Sequence, residues 1–133
     1  MNKVLRTMLL SSFFLFGCMA TPQGTSFEKV LYEVKRDMFN PETIQIREAQ
    51  WVRFVALTGE DAYGFRFGLN GENALGGMTG FQSYFAFHYL DSDYILFEDE
   101  AGTIKTTINY AFDWGDEKGT FSEAQINAIL SRI

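Results

Sequence analysis

Cysteine, histidine and proline are nearly missing from this chain. A single cysteine, Cys18, stands among 133 residues, so no disulfide can close within the chain and no cysteine-built zinc site can form. A single histidine, His88, leaves little for Ser/His or Cys/His catalysis. It lies on the strand face opposite Phe85 and Phe87 and reads as an ordinary sheet residue. No Gly-x-Ser-x-Gly elbow occurs, so no catalytic residue is assigned. Positive charge is also short: 11 Lys and Arg face 17 Asp and Glu, a formal charge of −6. Such a balance argues against nucleic acid and against adhesion to anionic lipid, and it fits a basic protein partner.

Long apolar runs are lacking as well. Met8 to Phe16 is too short to span a bilayer as a permanent helix. Behind Lys3 and Arg6 it has the layout of an export signal. Leu15-Phe16-Gly17-Cys18, which follows, resembles a bacterial lipobox, and that resemblance implies lipidation of Cys18. The expected organisation is a signal peptide over 1–17, a lipidated tether over 18–26 and one domain over 27–133. Met19 in place of an aspartate after the cysteine favours the outer membrane, with the domain facing the periplasm or the surface. The alternative is plain cleavage after Ala20, giving a soluble periplasmic or secreted protein. Loss of residues 1–17 removes Lys3 and Arg6 and no acid, taking the formal charge from −6 to −8.

What is plentiful is aromatic: 14 Phe, 6 Tyr and 2 Trp supply a core without disulfide staples. Phe27, Val30, Leu31, Val34 and Met38 recur at helical spacing, with Thr25 and Glu28 or Ser26 as candidate caps, and the helix should stop before Asn40-Pro41. From Ile44 the period becomes two, and Gln50 to Leu57 continues the strand past a bulge. Tyr63, Phe65, Phe67 and Leu69 alternate with Gly64, Arg66 and Gly68. Phe81 to Leu90, Tyr94 to Phe97 and Thr103 to Phe112 read as three further strands. Ser122 and Gln125 cap a last helix carrying Ile126, Ile129, Leu130 and Ile133. The expected fold is α+β: an antiparallel meander of about five strands, with an N-terminal and a C-terminal helix packed on its aromatic face.

Between two strands lies Asn70-Gly71-Glu72-Asn73-Ala74-Leu75-Gly76-Gly77-Met78-Thr79-Gly80-Phe81. Asn and Gly enter left-handed backbone cheaply, so this is a shaped loop. Asn70, Asn73, Gly76, Gly77, Thr79, Gly80 and Phe81 are the candidate binding residues. The architectural alternative has the asparagines bonding loop backbone and Phe81 plugging the core.

Asn40-Pro41-Glu42-Thr43, together with Asn70, Asn73, Gly76, Gly77, Gly80 and Phe81, resembles a motif pair of small exported bacterial proteins of unknown function. The resemblance covers roughly residues 27–87 and departs in having no cysteine before Asn70. It implies a fold and an envelope address and carries no activity.

Acids cluster at Asp91/Asp93, Glu98-Asp99-Glu100 and Asp113/Asp116/Glu117. A calcium loop around Gly119 would put Trp114 and Lys118 at ligand positions, so no metal site is assigned, and no cofactor either. The acids are expected as solvated turns. The expected function is a non-catalytic binding module for another envelope or secreted protein. The alternatives are an inhibitor or immunity-type protein and an envelope hydrolase using paired carboxylates.

Overall fold

Thr21 closes the first turn of a helix by accepting a hydrogen bond from Gly24 N at 3.1 Å, and Pro22 occupies the first helical position. The computed structural model describes residues 21–72, 77–78, 80–115 and 117–133. Helix α1 (Pro22–Asp37) thus starts earlier than the Thr25 and Ser26 caps predicted, and residues 22–26, expected as tether, are its first turns. Four strands follow in a meander: β1 (Asn40–Val55), β2 (Asp61–Glu72), β3 (Gln82–Tyr89) and β4 (Tyr94–Asp99). Helix α2 (Ile104–Trp114), a short β5 (Glu117–Thr120) and helix α3 (Glu123–Arg132) complete the order. The sheet runs β4-β3-β2-β1-β5, antiparallel throughout.

The α+β architecture holds, with five strands and both terminal helices on one aromatic face. Phe27 of α1 stacks between Phe65 and Phe121, at 4.9 and 4.8 Å between ring centres, with Phe67 edge-on at 5.3 Å. Ile126 and Ile129 of α3 bury beside it, while Leu130 is only half-buried. The predicted Ser122/Gln125 capping box is present in both directions.

Thr103 to Phe112 is not extended; it is helix α2, lying across the opposite face of the sheet. Ile104, Ile108, Ala111 and Phe112 follow a helical i, i+4, i+7, i+8 stripe and bury against Val52, Phe85 and Phe87. Register pairs Phe85 with Arg66 and Phe87 with Gly64, so β3 turns its rings away from the Phe65 face and the sheet is aromatic on both sides. Gly64 lets α2 come close: a Cβ there would stand 2.9 Å from Ile108 Cδ1. The amides that open α2 are capped from β4, where Glu98 accepts from Thr103 N and Ile104 N at 2.9 and 3.2 Å. The fifth strand is Glu117–Thr120, which α2 delivers to the far edge beside β1.

Candidate functional site

The two motif halves that sequence alone left apart are joined at the start of the Asn/Gly loop. Asn40 pairs with Glu72 and Gln45 with Asn70 across β1 and β2. Thr43 Oγ1 donates to Asn40 O at 2.7 Å and accepts from Glu72 N at 2.9 Å. Asn70 is buried, and among the described residues it bonds a side chain: its Nδ2 donates to Gln45 Oε1 at 3.0 Å, and its Oδ1 has no partner there. Gly80 takes φ +81°, the left-handed conformation expected of a loop glycine. Asn73, Gly76, Thr79 and the lipidation candidate Cys18 lie outside the described residues, while Gly77 is exposed. Phe81 does not plug the core. It is 36% exposed, and Arg47 lies over its ring at 4.0 Å.

That contact opens onto a cleft of about 500 Å³ on the α2 side of the sheet, lined by Arg47, Gln50, Arg66, Phe81, Ser83 and Asn109 among others. A bulge builds it. Arg47 pairs with Gly68 and Gln50 with Arg66, so two residues of β1, Glu48 and Ala49, stand opposite one of β2. In a regular strand, residues three apart point to opposite faces; here the extra residue brings Arg47 and Gln50 to the same one. Glu48 absorbs the kink at φ +53°.

A second concavity, about 670 Å³, runs between the β1–β2 turn and α2. Its rim is apolar and exposed: Leu57 is fully in solvent, Trp114 is 73% exposed, and Val55 and Tyr110 are exposed too. Tyr110 and Trp114 pack ring to ring at 6.1 Å. Its charged lining is Arg53, Asp61 and Glu117. Arg53 pairs with Asp61 at 3.5 Å. Its guanidinium is held above its ordinary pKa by Tyr63 first, then by Asp61 and Glu117.

His88 is not the ordinary sheet residue expected. It is 4% exposed, with Nδ1 2.5 Å from Ser26 Oγ and Nε2 2.6 Å from Asp93 Oδ1. Both ring nitrogens are thereby satisfied, one by the Ser26 hydroxyl and the other by the Asp93 carboxylate. The trio has the composition of a nucleophilic triad, yet Ser26 is 2% exposed on the buried face of α1 and borders none of the cavities described. A nucleophile needs room for its substrate. This chain of bonds instead fastens α1 to β3 and to the β3–β4 turn, with Lys29 reaching Asp93 at 3.0 Å. Sequence offered no signal for it, since Ser26 and His88 are 62 residues apart.

Among the described residues, no three of His, Asp and Glu converge as metal ligands would, and no helix is long and apolar enough to cross a membrane. Compared with protein-family models, with curated proteins and with solved structures, the chain finds no significant match in any of the three.

Proposed function

We propose that this chain is a non-catalytic binding module of the bacterial envelope, held at the outer membrane by a lipid on Cys18, that docks on another envelope or secreted protein. The observation that carries this is the apolar groove beside α2, where Val55, Leu57, Tyr110 and Trp114 are left in solvent. Clustered exposed aromatics of this kind mark protein contact surfaces. The occupant assigned to the groove is an apolar segment of the partner with a lysine or arginine beside it. Arg53 engages Asp61, whereas Glu117 has no ion pair among the described residues, and the chain as a whole is acidic. An inhibitor or immunity-type protein is the same proposal with an enzyme as partner.

A paired-carboxylate hydrolase has less behind it. Asp61 and Glu117 share the groove, but Asp61 is already engaged in an ion pair with Arg53 at 3.5 Å.

The test is photo-crosslinking in native membranes, with a photoreactive residue at position 110 of the full chain and, as reference, at exposed Tyr32 on α1. A discrete protein adduct is expected from 110 alone, lost with Leu57→Ser and with Glu117→Lys. Equal adducts from both positions, none from 110, or an adduct indifferent to both substitutions would overturn the proposal.

A further inference from the structure

The arginine cleft is separate from that groove, and its charges are arranged differently from those on the rest of the surface. Among the described residues, Arg36, Arg53 and Arg132 each pair with a carboxylate, Glu33, Asp61 and Glu28 respectively. Arg47 and Arg66 pair with none among these residues. Both line the same cleft, and each is laid against an aromatic ring at 4.0 Å, Arg47 on Phe81 and Arg66 on Phe112.

Arg66 is also aimed. Its Nε donates to Gln50 Oε1 at 2.6 Å and its Nη1 to Asn109 Oδ1 at 3.2 Å. Those neutral acceptors orient the guanidinium without cancelling its charge, and Nη2 has no partner among the described residues. Arg47 is seated by the missing side chain of Gly68, where a Cβ would stand 3.0 Å from Arg47 Cγ and 3.4 Å from Phe81 Cδ1. An acidic protein that leaves two stacked, unneutralised arginines in one concavity has a preorganised anion receptor.

We propose that this cleft binds a small polar monocarboxylate, with the carboxylate held between Arg47 and Arg66. The charged lining is Arg47, Arg66 and Glu48, a net charge of +1. One positive charge matches a carboxylate and is poorly matched to a phosphate dianion. Gln50, Ser83, Asn109 and Thr120 around it offer hydroxyls and amides to the rest of the ligand. A sugar acid and the free end of a peptide both supply that carboxylate; the chemistry read by the arginines is the same.

The experiment is calorimetric titration of the full chain in detergent, at matched ionic strength. The probes are glucuronate and N-acetylglycine, their uncharged counterparts glucose and N-acetylglycinamide, and inorganic phosphate. At least one carboxylate should bind while its neutral counterpart and phosphate do not, and which of the two binds identifies the source. Arg47→Gln and Arg66→Gln should each weaken binding about tenfold or more, the loss of a charge-assisted contact. Arg36→Gln, on the outer face of α1, should leave it unchanged. Because Arg66→Gln also removes the bonds to Gln50 and Asn109 that tie the sheet to α2, the wild-type protein supplies a second measurement. Phenylglyoxal modification of Arg47 and Arg66, followed by peptide mass, should slow in the presence of the bound carboxylate. Binding by neither carboxylate, phosphate binding more tightly, or affinity and modification indifferent to Arg47 and Arg66 would each overturn the assignment.

Discussion

Ser26 and His88 are both buried, and burying a hydroxyl or an imidazole is costly unless it is bonded. Each satisfies the other, and Asp93 satisfies the remaining ring nitrogen. Asp93 itself is exposed and sits at φ +55°, where aspartate and asparagine are both at ease. Its carboxyl is held below the ordinary value of 3.8, first by the His88 bond and then by Lys29. A carboxylate with a depressed folded pKa contributes stability that is present above its unfolded pKa and lost as pH falls through the folded one. Chemical denaturation of the wild type should therefore show a fall in stability on acidification below about pH 4 that is smaller in Asp93→Asn. Equal acid sensitivity of the two proteins would show that the Asp93 bonds do not reach the folding equilibrium.

Among the elements, α3 depends on the N-terminal half for its burial. Ile129 is almost fully enclosed, so Ile129→Ala should cost about 2–5 kcal/mol, measured by urea unfolding. Leu130→Ala, at a half-buried position, should cost less. A similar loss at both would mean that α3 does not present the Ile126 and Ile129 side to the core. The helices with strong stripes, α1 and α3, were legible in the sequence, as were the meander and the Ser122 cap. Helix α2 was not, because Ile104, Ile108 and Phe112 satisfy a period of two and a helical period equally. Tyr110 continues the two-residue period, and in the helix it is exposed. The start signal was hidden too, since the cap is Glu98 on another element. Strand β5 has no apolar residue to announce it and exists through pairing with Gln50–Arg53. The bulge in β1 was visible, but its effect of gathering Arg47 and Gln50 was not. That effect depends on which residues of β2 they face.

For the whole molecule, the proposed envelope address rests on the first residues, and the two proposed binding surfaces rest on what α2 leaves uncovered. One helix crosses that face of the sheet and divides it, with the arginine cleft to one side and the aromatic groove to the other. With Cys18 as the lipid attachment point, Cys18→Ser should lose acyl labelling and move from the membrane fraction to the soluble periplasm. Unaltered membrane partitioning of this variant would remove the anchor from the account and leave the folded domain untouched.

The stacking of Phe27 between Phe65 and Phe121 has a consequence for the order of events in the life of the chain. The first helix finishes its core only against the last: Glu28 meets Arg132 across 104 residues, and Lys35 meets Ile133 across 98. Contacts so distant in sequence form late, because the loop between them must be closed first. A nascent chain emerging from the ribosome therefore holds α1 unfinished until residues beyond 120 are free. Export through a translocation channel, as proposed for this chain, would benefit from that delay, since the domain stays threadable until those residues have been made.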